Sequence, residues 1–350
     1  MSITAQLLAS VRLPGGSALV NGFAFEARGE GPGRALLPNG HELEVYDLDD
    51  VLAGERAPVA VFPVPWPGWD RGVDSVSPDA TFAVFSGQRA VRAVDAGGAT
   101  LWEYRHGCWG PELDHPHTGD EQQVCRGLEH GSSRVSDDGR LVWAHVVNQE
   151  GDGECWVVLD ARDGREFARL PLEDSAAAGS HHVSHPDGVH MGLSIGMGQD
   201  GILLYWGRWD GEALTSWDLN ETEDRILMDV HPAHGGFLTM AHYGDDLRLH
   251  ALDGTVLAEQ DELSWDWACG FVDADHVIVS SGVEYGADDE DRRHWLLDAR
   301  TLEIRGSVGY PSGALDSMPR PLGDGSWITY DEAGETLRRW GLTPPAPGAS

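Results

Sequence analysis

Val135-Ser136-Asp137-Asp138-Gly139-Arg140-Leu141-Val142-Trp143-Ala144-His145-Val146-Val147 reads as a tight turn followed by a strand. Asp and Gly supply the turn. The β-branched and aromatic run after it carries no helical periodicity. Cys155-Trp156-Val157-Val158-Leu159 is a second apolar run, closed by Asp160 and another polar turn, after which Glu166-Phe167-Ala168-Arg169-Leu170 resumes an extended pattern. The segment is therefore turn, strand, loop, strand, turn, strand.

The same grammar recurs along the chain. An apolar residue followed by Asp occurs at Tyr46-Asp47, Val94-Asp95, Leu159-Asp160, Trp217-Asp218, Leu252-Asp253 and Leu297-Asp298, and Trp340-Gly341 closes the series in degenerate form. Their mean spacing is about 49 residues. A second marker shares this period: Ser77-Pro78-Asp79, Ser136-Asp137-Asp138-Gly139 and Ser184-His185-Pro186-Asp187-Gly188, with weaker versions at Pro232, Val272 and Leu322. Seven units fit a chain of 350 residues. Four short strands per unit describe the blade of a β-propeller. The expected fold is all-β, a seven-bladed β-propeller of four-stranded antiparallel blades. Residues 3–12 would supply the outermost strand of the last blade and so close the ring. The whole of 1–342 reads as a single domain, and the Pro/Ala-rich stretch 343–350 as a disordered tail.

The Ser-Pro-Asp-Gly-like turn followed by an apolar-Asp turn such as Ser216-Trp217-Asp218 resembles the WD-repeat and related seven-bladed propeller superfamily. The resemblance spans roughly residues 3–342 and implies the fold.

Composition narrows the function. All 24 basic residues are arginine, and 58 acidic residues bring the formal net charge to −34. Without lysine there is no Schiff-base lysine and no phosphate loop ending in Gly-Lys-Ser/Thr. The field opposes nucleic acid and anionic membranes as partners. Four cysteines (Cys108, Cys125, Cys155, Cys269) are too few for a disulfide scaffold. The first residues lack a secretory pattern, so a cytoplasmic, bacterial-type protein is expected. No His-Glu-x-x-His motif occurs.

Insertions concentrate in the loops that a blade plan places on one face, and aromatic and acidic residues gather there: Trp66, Trp69, Asp70, Arg71, Trp109, Trp265, Asp266 and Trp267. Trp and Arg dominate binding hot spots, and flanking acids such as Glu150, Asp152, Glu154 and Glu284 would steer a cationic partner. The first expectation is a binding or scaffold module for a protein or peptide of basic character, needing no cofactor. Zinc or another divalent ion has one candidate ligand set in the long loop, Cys108, His115, His117 and Cys125. The alternative is a metal-dependent lyase or hydrolase using His181, His182, Asp229 and His231 at the channel mouth.

Overall fold

The computed structural model describes residues 2–13, 24–26, 33–66, 68–69, 71–110, 129–149, 153–172, 179–198, 201–219, 224–233, 235–281, 293–311, 318–331 and 333–342. They form 28 strands and one short helix. After β1 (Ser2–Arg12), the strands follow in consecutive groups of four. The first is β2 (Ala24–Glu26), β3 (Arg34–Pro38), β4 (Glu42–Asp47) and β5 (Ala60–Pro63). The second is β6 (Ser75–Val76), β7 (Phe82–Ser86), β8 (Ala90–Asp95) and β9 (Thr100–Arg105). Then come β10 (Ser132–Val135), β11 (Leu141–Val147), β12 (Glu154–Asp160) and β13 (Glu166–Leu172). The fourth group is β14 (Ser180–Ser184), β15 (His190–Gly196), β16 (Ile202–Trp209) and β17 (Leu214–Asp218). The fifth is β18 (Arg225–Val230), β19 (Phe237–Ala241), β20 (Leu247–His250) and β21 (Val256–Gln260). The sixth is β22 (Trp265–Phe271), β23 (His276–Ser281), β24 (His294–Asp298) and β25 (Ile304–Gly309). Last are β26 (Arg320–Pro321), β27 (Ser326–Asp331) and β28 (Thr336–Leu342).

Each group is a meander in which neighbours in sequence pair in space. The last has only three strands of its own, and β1 is its fourth. Ala5 lies opposite Leu342 and Arg12 opposite Thr336 in an antiparallel ladder. The first residues of β1 also pair in parallel with β25, Ser2 opposite Ser307, so the sixth and seventh sheets share one run of eight strands.

The chain packs as two compact units: Met1–Leu37 with Tyr46–Ala57 and Met228–Ser350, and Pro38–Val45 with Pro58–Leu227. In the second unit, β11 and β12 are buried at every position. Strands covered on both sides read as continuous apolar runs rather than alternating ones. Trp143, Trp156, Met191 and Leu193 fill that core, and none is solvent-exposed. In the first unit, Phe271, Val277 and Leu297 lie in one cluster, and Trp327 and Trp340 in another.

The repeated turns share one chemistry. Ser77 and Ser136 donate to Asp79 and Asp138 at 2.7 Å, while Asp79 and Asp138 accept the backbone N–H two residues on. Asp95, Asp160, Asp253 and Asp298 make equivalent Asx turns after the third strands.

Two turn assignments differ. Asp47 caps a short helix, α1 (Leu48–Leu52), accepting from the N–H groups of Asp49 and Asp50. In the fourth sheet the turn after the third strand is made by Asp210, which accepts from Glu212 and Ala213. Trp217-Asp218 therefore ends the outermost strand rather than the third.

Candidate functional site

Two adjoining loops of the first unit build an exposed aromatic row. The loop after β19 contains His242, Tyr243 and Gly244, and the loop before β22 contains Asp261 and Glu262. Gly244 joins them: its N–H donates to Ala241 O and its carbonyl accepts from Trp265 N, both at 2.8 Å. Its φ is +76°, and a Cβ there would lie 2.1 Å from Trp265 O. Only glycine permits this approach.

Trp265 anchors the second loop from inside, 2 % exposed, its Nε1–H donating to Gln260 O at 3.1 Å. In an unbroken strand Trp267 would face the same way. The register of β22 slips between Trp265 and Cys269, which lie opposite Ser281 and Val279, so that four positions on one strand span two on the other. Such a bulge re-aims side chains, and Trp267 emerges 52 % exposed. Its Nε1–H donates to His242 O at 2.9 Å. The His242 imidazole lies 5.0 Å from the Trp267 ring and meets Tyr243 edge-on at 5.1 Å. Tyr243 is 82 % exposed.

Segments 241–248 and 256–267 hold six carboxylates (Asp245, Asp246, Glu259, Asp261, Glu262, Asp266) and one guanidinium, Arg248. Arg248 is already paired with Asp246 at 2.9 Å and Glu259 at 3.4 Å. Asp245, Asp261 and Glu262 are exposed.

The other tryptophans singled out by sequence lie elsewhere. Trp69 is buried and donates to Ser86 O at 2.9 Å, with the Arg71 guanidinium 4.4 Å from its ring centroid. Trp66 is partly buried beneath Arg92 at 4.6 Å. Trp109 is 2 % exposed and packs edge-on to His145 at 5.2 Å. These indoles serve the interior because indole supplies large apolar area, and the Trp69 N–H finds a backbone carbonyl there. Asp70, His115, His117, Cys125, Glu150, Asp152, Glu284 and the tail at 343–350 lie outside the described residues. Cys108 is described, and Gln88 Nε2 donates to its Sγ at 3.5 Å.

His181 and His182 stand in β14 of the second unit; Asp229 and His231 belong to the first. His181 is exposed. Both nitrogens of His231 are used locally, Nε2 toward Ala274 O at 3.1 Å and Nδ1 accepting from Ala233 N at 3.0 Å. Burial pushes the Asp229 carboxyl up to about 7, against the lowering effect of the Phe271 and Val230 amides that donate to it.

His182 belongs to a buried relay that sequence reading missed. Trp156 Nε1 donates to His182 Nε2 at 2.9 Å. Indole is donor only, so the His182 proton sits on Nδ1 and is given to Ser132 Oγ at 2.8 Å. Ser132 then donates to Ser180 at 2.7 Å, Ser180 to His145 Nδ1 at 2.8 Å, and His145 Nε2–H to Glu154 at 2.8 Å. Burial, with the charges of His145, His181 and Arg134, pushes the His182 pKa well below the usual value. Glu154, read from sequence as a loop acid, is 5 % exposed and terminates this chain. Its position at the start of an apolar run, with His145 within the neighbouring run, was the available signal.

No protein-family model matches the chain, and no curated protein matches it. The β-propeller domain of Cps50 (Swd1) from Myceliophteria thermophila is similar in structure, with a TM-score of 0.53, 11 % identity, and coverage of 97 % of this chain and 100 % of that one. The chain is a seven-bladed β-propeller. BamB from Moraxella catarrhalis matches with a TM-score of 0.46 and 11 % identity, over 98 % of this propeller and 99 % of BamB. At such identities the likeness concerns fold, and function rests on the site.

Proposed function

We propose that this propeller is a binding module whose Tyr243–His242–Trp267 row takes up a basic segment of a protein or peptide. The reading rests on one observation: the Trp267 indole is held by its hydrogen bond to His242 O with about half its surface still open. A fixed ring loses little entropy on binding and presents a π face to a guanidinium or ammonium group. The surrounding carboxylates raise the encounter rate of such a group. The indoles of Trp66 and Trp69 already hold Arg92 and Arg71, so the same pairing is used internally in this protein. A cytoplasmic location belongs to the same proposal, as does the exclusion of nucleic acid and anionic membrane, which the net charge of −34 opposes.

Calorimetric titration with a short arginine-rich peptide tests it. Trp267→Ala should weaken binding by about 1–2 kcal/mol, the cost of an interface hot spot. Equal affinity of Trp267→Ala and the parent chain would remove the site.

A further inference from the structure

The turn between β14 and β15 departs from those of the second and third sheets in a way the backbone does not require. In the second and third sheets the first turn residue is Ser77 or Ser136, and the residue five further on is Phe82 or Leu141. The backbone closes alike in all three: Ser77 N to Phe82 O at 2.9 Å, Ser136 N to Leu141 O at 2.9 Å, and His185 N to His190 O at 3.2 Å. In the fourth sheet both positions are histidine.

Asp187 divides its two oxygens between separate tasks. Oδ1 accepts the N–H groups of Val189 and His190 at 2.9 and 3.0 Å, doing the turn-closing work of Asp79 and Asp138. Oδ2 faces two imidazoles, 3.1 Å from His185 Nδ1 and 2.6 Å from His190 Nδ1. The three donor atoms all lie within 4.8 Å of one another. Both rings are held in place. His190 stacks on Trp206 at 5.7 Å and Trp217 at 6.3 Å, and His185 meets Trp206 edge-on at 6.1 Å. His185 is fully buried, whereas the Asp187 side chain is 22 % exposed and leaves a solvent side.

We propose that His185, Asp187 and His190 bind a divalent ion of the zinc class through Nδ1, a carboxylate oxygen and Nδ1, with the remaining position open to solvent. Bonds of about 2.0–2.2 Å to nitrogen and oxygen set donor atoms roughly 3.3 Å apart in a tetrahedral site. The His185–Asp187 separation meets that spacing, and His190 has to retreat by a fraction of an ångström. Two imidazoles with one carboxylate suit zinc and its first-row neighbours over magnesium or calcium. Binding displaces to solvent the Nδ1 proton His190 shares with Asp187, and competes with the Asp187 N–H for His185 Nδ1. The proposal is independent of the Tyr243–Trp267 site.

The full chain, stripped with chelator and dialysed, should take up zinc chloride alone in a calorimetric titration. His185→Ser and His190→Leu restore the side chains of the sister turns and so leave the hairpin its own chemistry. Each should lower zinc affinity at least about tenfold, while Cys108→Ser, which disables the other possible donor set, should leave this event unchanged. X-ray absorption of the zinc-loaded parent chain should show a first shell of nitrogen and oxygen with imidazole scattering and no sulfur, a readout that stands even where a variant misfolds. No zinc uptake, a sulfur-containing shell only, or unchanged affinity in both folded variants would overturn the proposal.

Discussion

The Nε1–H of Trp267 donates to the main-chain oxygen of His242 at 2.9 Å, tying an exposed indole on one strand to the loop that follows another. The bond fixes the ring from its edge while about half of the residue's surface stays exposed. Loop, bulge and exposure thus act together, and each can be perturbed separately.

Gly244→Ala attacks the junction of the two loops. The substitution forces an L residue to φ +76° and brings its Cβ to 2.1 Å from Trp265 O. A stability loss of about 1–3 kcal/mol is expected, with weaker peptide binding because the row loses its support. Thermal unfolding and the same calorimetric titration check both effects.

Ser180→Ala cuts the buried relay in the middle. It leaves the Ser132 hydroxyl without its acceptor and His145 Nδ1 without its donor. Unsatisfied buried groups cost about 1–3 kcal/mol each. Glu154→Gln should be milder, because the amide oxygen still accepts from His145 Nε2. Denaturant midpoints of the two variants give the comparison, and the order Ser180→Ala below Glu154→Gln is the expected result.

Asp74 supplies a pH test. Burial pushes its carboxyl up to about 7, opposed by the Ser86 amide that donates to it. The unfolded chain ionises this group near 4 and the folded chain near 7. Between those values the folded state binds more protons, so the group's contribution falls as pH rises, by at most about 1.4 kcal/mol per unit. Asp74→Asn retains an acceptor for Ser86 N and removes the charge. Its melting temperature should match the parent's near pH 4, rise above it as pH increases, and keep a constant margin beyond pH 7. A margin independent of pH would contradict the assignment.

The repeat was legible because Ser, Asp and Gly in turns have few conformational roles and because fully buried strands read as unbroken apolar runs. The run at Leu141–Val147 matches β11 residue for residue. Where the Asp signal misled, the same side chain chemistry serves two structures: Asp47 caps a helix with the acceptor geometry that closes a turn elsewhere. Trp217-Asp218 was displaced because Asp210-Gly211 already supplies the bend. The site was legible only in part. Spacing places Trp265 and Trp267 on one side of a strand, and the bulge that separates them arises from pairing with β23, which no local pattern announces. His242 gains significance only through Trp267, 25 residues further along the chain, whose Nε1–H its carbonyl accepts. The His145–Glu154 contact likewise depends on the register of β11 against β12.

Stopped-flow association of an arginine-rich peptide, measured at low and high salt on the parent chain and Trp267→Ala, tests the central claim most directly. Steering by the carboxylates predicts a parent association rate that falls markedly as ionic strength rises. The indole contact predicts faster dissociation in Trp267→Ala at nearly unchanged association. Association equally fast at low and high salt, together with unaltered dissociation in the variant, would contradict the account.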